Sequence, residues 1–273
     1  MNTFDVTNSV KLNTISETDT VGEFEIEGLY RGFSLTIGNA LRRVLLSSLP
    51  GAAITRVKIK GVGHEFSTIS GVLEDVVEIT LNLKKVRFRM HTDEPQVLTL
   101  KVKGEREVTS NDIKGNAQID VISKDSKIAT ITDKGVELEM ELTVEKGLGY
   151  EAVDSRKAEK LPVGIIDIDA VFSPVINVNF ITESMRVGDQ TDYNRSKIII
   201  ETDGSISPSM ALKSASTILQ ELFEIVSGVE GVEHAEKEKK KKTTKKTASE
   251  KKEGKKEGKE GEEEPAEEES KES

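Results

Sequence analysis

Two segments with helical periodicity enclose a long strand-like block, and this order constrains the fold more than any other feature. From Ser34 to Ser48, apolar residues recur at the i, i+3, i+4, i+7 spacing of an amphipathic helix. A second such segment runs from about residue 208 to 226, beginning with Pro208 and ending before Gly228. Residues 52–176, between the helices, are rich in β-branched residues and turn signals. We therefore predict an α+β fold.

Strands are predicted where apolar and polar residues alternate or where β-branched residues dominate. These stretches cover about residues 5–33, 54–59, 76–90, 96–104, 115–123, 135–147, 175–187 and 195–204. The run from Val76 to Met90, VVEITLNLKKVRFRM, is interpreted as one long strand.

Composition excludes several classes of function. The chain of 273 residues has no Cys, which excludes disulfides, zinc–thiolate sites, iron–sulfur clusters and thiol nucleophiles. Its 39 Lys and Arg against 49 Asp and Glu give a net charge of −10, which argues against a nucleic-acid reader that works by bulk charge. No apolar run approaches the ~18 residues of a membrane span, and the N-terminus lacks the features of a signal peptide. We expect a cytoplasmic protein with no membrane partner.

Residues 229–273 differ in composition from the rest of the chain. They contain no Leu, Ile, Phe, Tyr or Met. Residues 236–259 carry 12 Lys against 5 acidic residues, and residues 260–273 carry one Lys against 8 acidic residues. A segment so poor in apolar side chains cannot offset the entropy lost on ordering. We predict a disordered tail over 229–273.

A helical projection of the first helix separates two faces. Asn39, Arg43 and Leu46 fall opposite the apolar stripe. An apolar side chain beside a guanidinium suits a protein interface, although single exposed Leu residues are also common on solvated surfaces. The residues predicted for the buried stripe are Ile37, Ala40, Leu41, Val44 and Leu45.

The apolar stripe of the second helix is wider than one core requires. It spans about 160°, whereas packing on one sheet needs roughly 100°. Two explanations are open: contact with a second subunit across a two-fold axis, or a position in the centre of a larger core. The side chains assigned to the dimer contact are Leu212, Ala215, Ile218, Leu219, Leu222 and Phe223.

Residues with catalytic chemistry do not form a recognisable site. The three His residues, His64, His91 and His234, are scattered and show no metal-binding spacing. Phosphate-binding glycine loops are missing from the sequence, and Gly147 and Gly149 are interpreted as loop glycines that allow positive φ. Acidic groups that could bind a cation or transfer protons, but that more often form a solvated edge, are Glu74, Asp75 and Glu78, and Asp167 with Asp169.

Four stretches closely resemble the bacterial-type RNA polymerase alpha subunit. They are Arg31–Lys84, which contains GNALRRVLLSSLPG and GVGHEFST, then EKGLGY at 145–150, LPVGIIDIDAVFSPV at 161–175, and the region 192–226. The resemblance is collinear over about residues 5–227. It implies two subdomains: a dimerisation subdomain formed by residues 1–50 and 177–228, and a β-rich insert of residues 51–176.

The resemblance also implies partners and contact residues. In this family the two helices pack across a two-fold axis, and the homodimer recruits the large subunits beta and beta-prime. Arg43 and Leu46 match family residues that hold beta, and Asn39 is assigned to the same contact because it shares their helix face. Lys84 matches a family lysine that contacts beta-prime. No catalytic residue, metal or cofactor is expected on this chain, because the family's catalytic magnesium is held by beta-prime.

Three further expectations concern DNA and alternative functions. The family's small C-terminal DNA-binding domain is expected to be missing, so DNA would be contacted only through the assembled enzyme. A metal-dependent hydrolase would use Asp167, Asp169 and a His. A nucleic-acid-binding module would use the Lys-rich run 237–259, although the acidic block 260–273 is equally placed to neutralise it.

Overall fold

The computed structural model describes residues 10–156, 162, 164–187 and 190–229. The chain divides into two compact units, Met1–Phe223 and Glu224–Ser273, which are described separately. The described part of the second unit is the last turn of a helix followed by Gly228 and Val229. Apart from Val229, the predicted disordered tail lies outside the described residues, as does His234.

The described residues form three α-helices and fifteen strands, which confirms the α+β class. The helices are α1 (Phe33–Ser47), α2 (Val76–Leu83) and α3 (Pro208–Ser227). The strands are β1 (Lys11–Glu17), β2 (Val21–Tyr30), β3 (Pro50–Ile59), β4 (Phe88–Met90), β5 (Gln96–Lys103), β6 (Arg106–Thr109), β7 (Ile113–Lys114), β8 (Ile119–Val121), β9 (Lys127–Ile131), β10 (Glu137–Leu148), β11 (Tyr150–Glu151), β12 (Ile165–Asp167), β13 (Ala170–Val171), β14 (Val175–Val187) and β15 (Gln190–Thr202). Among these described elements, no helix is long and apolar enough to cross a membrane.

A four-stranded antiparallel sheet supports the two long helices. Its order is β1-β2-β15-β14, and Phe24 on β2, Ile198 on β15 and Phe180 on β14 lie side by side in register. Helix α1 packs on β14 and β15. Helix α3 begins so close to β2 that a Cβ on Gly22 would lie 2.5 Å from the Cβ of Pro208. The apolar residues between the helices and this sheet form one core.

A larger sheet occupies the middle of the chain. Its order is β7-β5-β10-β3-β4-β8, with β12 also paired to β3. Strands β3, β5 and β10 confirm the predictions for residues 54–59, 96–104 and 135–147. The prediction for 115–123 is too long, since only β8 forms there. This sheet has its own core, formed by residues between 52 and 168.

The predicted long strand over Val76–Met90 is wrong. Its first half is helix α2, and only the three residues of β4 are extended. Asp75 caps the helix, since its carboxylate accepts a 2.7 Å hydrogen bond from the backbone N–H of Glu78. Val76, Ile79 and Leu83 are fully buried on one face of α2. Capping and this helical spacing therefore outweigh the β propensity of the segment.

Two arginines connect the larger sheet to the loop that follows β15. Arg89 on β4 donates from Nε to the carbonyl of Ser205 at 2.7 Å and from Nη2 to that of Gly204 at 2.9 Å. Arg87 lies 3.8 Å from the carboxylate of Asp203. The two cores are therefore joined by directional hydrogen bonds as well as by the chain itself.

Candidate assembly surfaces

Helix α1 is anchored to its sheet at its first turn. The hydroxyl of Ser34 is buried and lies 2.7 Å from that of Thr182 and 2.6 Å from that of Ser196. A Cβ on Gly38 would lie 2.1 Å from the ring of Phe180, so the helix approaches the sheet closely at this glycine. These contacts fix which side of α1 faces away from the sheet.

Of the three residues predicted to face away from the sheet on α1, two are exposed and one is half-buried. Asn39 and Arg43 are exposed, and within the described chain the Arg43 guanidinium makes no hydrogen bond or ion pair. Leu46 is different, since it is half-buried against the core beside Leu45 and Leu49. The prediction that Leu46 faces outward is therefore only partly right, because part of its side chain packs against the core of the four-stranded sheet.

Helix α3 changes its environment along its length. Ala211, Leu212 and Ala215 are buried in the core of the four-stranded sheet. Ile218 and Leu219 are half-buried against the same core. Leu222 and Phe223, at the end of the first unit, are 52% and 62% exposed. Among the described residues of the first unit, no core covers Leu222 and Phe223, so the alternative of a central core helix is not supported.

The second unit continues the same pattern in its few described residues. Ile225 and Val226, in the last turn of α3, are exposed, and Val229 is exposed after the helix ends. A run of apolar side chains in water is typical of a protein–protein interface.

Lys84 lies at the C-terminal end of α2 within a small cluster. Its Nζ is 3.2 Å from Oδ2 of Asp169 and 5.2 Å from the centre of the Tyr150 ring. The other carboxylate oxygen of Asp169 accepts a 3.1 Å hydrogen bond from the backbone N–H of Val153. This N–H is the largest cause that lowers the pKa of Asp169, and Lys84 and Tyr150 lower it further against the opposing effect of burial.

Sequence reasoning missed the apolar surroundings of Lys84. Tyr150 is 58% exposed and Leu81, three residues before Lys84 on α2, is 55% exposed. The motif EKGLGY contained Tyr150, but its proximity to Lys84 depends on a contact between residues far apart in sequence. The available signal was the position of Leu81, which shares a helix face with Lys84.

Asp167 and Asp169, two of the acidic groups considered for catalysis, form ion pairs. Asp167 ends β12 and lies 3.2 Å from Nε of Arg56, and Asp169 follows the strand and pairs with Lys84. Both carboxylates line an open cleft of about 570 Å³ together with His64. Among the described residues, no three His, Asp or Glu side chains are grouped so that they could hold a metal ion. The geometry does not support the hydrolase hypothesis.

Glu74 is buried, so the expectation of a solvated acidic edge is wrong for this residue. Its carboxylate accepts hydrogen bonds from the backbone N–H of Thr130 at 2.6 Å and from the Thr130 hydroxyl at 3.0 Å. Lys127 lies 3.0 Å away. Burial raises the pKa of Glu74, but the hydrogen bonds from Lys127 and Thr130 outweigh it and hold the pKa below its ordinary value. Glu74 therefore ties the segment before α2 to β9.

Comparison with known proteins identifies the family of this chain. The family model described as the RNA polymerase Rpb3/RpoA insert domain matches residues 57–173. The DNA-directed RNA polymerase subunit alpha of Symbiobacterium thermophilum is 48% identical over 217 residues, which cover 79% of this chain and 69% of that protein. The subunit of the same name from Moorella thermoacetica is 48% identical over 210 residues, covering 77% of this chain and 67% of that protein. The chain therefore belongs to the family of DNA-directed RNA polymerase alpha subunits.

Proposed function

We propose that this chain forms a homodimer that recruits the beta and beta-prime subunits of a DNA-directed RNA polymerase. The observation that carries the proposal is the exposed apolar end of α3, where Leu222 and Phe223 have no cover from their own core. A two-fold contact would bring both residues of each copy together. The proposed subdomains, 1–50 with 177–228 and 51–176, correspond to a dimerisation platform and an insert.

The apolar surface at Leu222 and Phe223 limits the free energy that a dimer contact there can supply. Fully burying a large apolar side chain contributes about 1.5–3 kcal/mol, so the four half-exposed side chains of a dimer contribute roughly 3–7 kcal/mol. Association costs about 4–15 kcal/mol in lost freedom. Leu222 and Phe223 alone are therefore insufficient, and the interface needs further apolar area. Phe33 and Leu35, exposed on α1, supply candidates for it.

We assign the recruitment of beta to the outward side of α1. Arg43 offers a planar guanidinium that can make forked hydrogen bonds to a carboxylate, and Asn39 lies one turn before it on the same face. Leu46 contributes through its exposed part only. Lys84 and its neighbours are assigned to beta-prime. The chain supplies no catalytic group in this proposal, and the magnesium of the reaction belongs to beta-prime.

Sedimentation of the full-length chain at micromolar concentration tests the dimer. The wild type should have the mass of a dimer, whereas the double variant Leu222→Asp/Phe223→Asp should be a folded monomer, because two charges per copy would otherwise be buried unpaired. Leu73→Asp/Val97→Asp is the matched control, since both residues are at least 59% exposed on the larger sheet's half. A monomeric wild type, or a double variant that stays dimeric, would contradict the proposal.

A further inference from the structure

The larger sheet and the four-stranded sheet do not share one apolar core. Among the described residues, their buried side chains form two separate clusters, and a third cluster contains only three residues. A cavity of about 150 Å³ lies at the junction, lined by Pro50 and Gly51 at the start of β3 and by Arg89 and Ser205. Two parts of a chain that meet without a large apolar interface can move relative to each other. The relative position of the sheets therefore depends on the chain crossings and on polar contacts.

The chain passes between the two sheets at two adjacent points. It enters the larger sheet at the start of β3 and returns to the four-stranded sheet after β13. The carbonyl oxygen of Phe172, on the return path, lies against Gly51 of β3. Because the two passages lie side by side, they act as one attachment, which we call the crossing. One attachment alone leaves the larger sheet free to turn about it.

A second attachment, which we call the arginine clasp, joins Arg87 and Arg89 to the loop 203–205. The two hydrogen bonds that Arg89 donates to loop carbonyls form a fork that Lys cannot reproduce. Arg87 lies beside one carboxylate oxygen of Asp203, whose side chain is only 8% exposed. The other oxygen of Asp203 accepts hydrogen bonds from the N–H and the hydroxyl of Ser205. The loop is thus held in a fixed shape that the two arginines can bind.

We propose that the arginine clasp fixes the orientation of the larger sheet, and that this sheet turns about the crossing when the clasp opens. Arg89 is exposed and binds neutral carbonyls, so water can replace these bonds without leaving a buried charge unpaired. Arg43 lies on one side of the crossing and Lys84 on the other, so the clasp would also set the spacing of the surfaces assigned to beta and beta-prime. Only this last consequence rests on the proposed function.

Distances between spin labels on the two sheets test the clasp. The chain has no Cys, so labels can be attached to introduced cysteines alone. Thr99→Cys on β5 is combined with Asn13→Cys on β1 or with Glu183→Cys on β14; all three residues are exposed. Since β1 and β14 are opposite edges of the four-stranded sheet, a turn of the larger sheet changes at least one distance. Pulsed electron paramagnetic resonance is recorded on the full-length chain mixed with an excess of unlabelled chain, which isolates distances within one copy.

The structure gives the size of the expected change. Thr99 lies opposite Glu141, six residues along β10 from Gly147 at the crossing, which is about 20 Å at the rise of a strand. The clasp lies closer to the crossing, because β4 pairs with β3 at Ala52. Opening the clasp by about 3 Å, enough for a bridging water, should therefore move Thr99 by roughly 5–10 Å.

The wild type should give one narrow distance distribution for each pair of labels. Arg89→Met should shift or broaden at least one of them by roughly 5–10 Å, and Arg89→Lys, which can keep one of the two bonds, should have a smaller effect. Arg106→Met is the matched control, because its ion pair with Asp112 at 2.6 Å lies within the insert, and it should behave like the wild type.

Two results would overturn the inference. A broad distribution for the wild type would show that the clasp does not hold the larger sheet. Wild-type distances in Arg89→Met would show that packing at the crossing is sufficient. If circular dichroism shows that Arg89→Met does not fold, Arg89→Lys decides between the same outcomes. The measurement needs neither beta nor beta-prime, so its result does not depend on the proposed function.

Discussion

Replacing Gly51 by Ala would disturb the point where the chain passes from one core to the other. Gly51 is the second residue of β3 and lies opposite Gly147 of β10. A Cβ at Gly51 would be 1.7 Å from the carbonyl oxygen of Phe172, although real Cβ contacts under 3.0 Å essentially never occur. The main chain would have to move by about 1.3 Å to bring this distance from 1.7 to 3.0 Å.

The obstacle at Gly51 cannot rotate away, because it is a backbone atom in a packed region. Phe172 is buried, and its N–H donates to the carbonyl of Gly149 at 2.8 Å. Overpacking of this kind costs about 1–3 kcal/mol and sometimes more, and we expect about 3 kcal/mol here. For a body of about 200 residues, 1 kcal/mol shifts the melting midpoint by roughly 2–4 °C, so Gly51→Ala should melt roughly 6–12 °C lower.

Thermal unfolding of Gly51→Ala should be compared with that of Gly63→Ala. Gly63 lies in a loop where an added Cβ would meet nothing within 4 Å, and its φ is not in the left-handed region. Ala at such a site is neutral or stabilises by up to about 1 kcal/mol, because it restricts the unfolded chain. Equal melting midpoints for the two variants, or a Gly51→Ala variant that melts like the wild type, would show that the main chain accommodates the added Cβ without cost.

Two further predictions concern charged groups. Arg43→Ala should leave the dimer intact and weaken capture of beta more than tenfold, since losing one desolvated partner typically costs about 2–5 kcal/mol. A pull-down with Arg42→Ala as the neighbouring control checks this, and a disrupted dimer would contradict it. The lowered pKa of Glu74 stabilises the fold above the unfolded-state pKa, and this stability is lost as the pH falls through the folded-state value. The Glu74→Gln variant should be less stable than the wild type at pH 7. Between pH 7 and pH 3, the denaturant midpoint should therefore fall more steeply for the wild type than for the variant. Parallel curves would show that the ionised form of Glu74 contributes nothing to the stability of the fold.

The elements with strong periodicity could be predicted from the sequence. Helix α1 begins and ends within one residue of the predicted Ser34–Ser48, and α3 begins at Pro208 as expected. Gly149 has the positive φ predicted for a loop glycine, whereas Gly147 lies within β10 and makes room for the ring of Phe172. Sequence patterns therefore predicted the structure correctly where it depends on a single residue, such as Gly149, or on the periodicity of one helix face, as in α1.

Helix α2 was not predicted because two signals in its sequence conflict. Val76, Val77, Ile79 and Thr80 are β-branched, and that propensity led to the prediction of a strand. The stronger signal was Asp75, three residues before Glu78, a spacing that suits the start of a helix. A short helix takes most of its stability from the face it buries, and the contact of α2 with β9 depends on the tertiary fold.

The charged groups of the candidate sites were visible in the sequence, but their partners were not. The pairs Arg56–Asp167, Lys84–Asp169 and Glu74–Lys127 join residues that are 53 to 111 positions apart. No local pattern encodes such pairing, because it depends on the register of β3 against β12 and on the placement of α2. Because their basic partners are distant in sequence, Asp167 and Asp169 were interpreted as a carboxylate pair without ion-pair partners.

Helix α3 shows how one amphipathic helix can separate folding from assembly. Its N-terminal half, at Ala211, Leu212 and Ala215, is buried in the core of its own sheet, so charges there would act on the fold of the single chain. At Leu222 and Phe223 the same stripe has left that core. A charge there leaves the isolated chain nearly unchanged and acts on whatever covers the surface. The apolar stripe of α3 spans about 160° in the helical projection. This width reflects two successive environments along the helix, the sheet core at its N-terminal half and an exposed surface further on, more than two partners packed around the same turn.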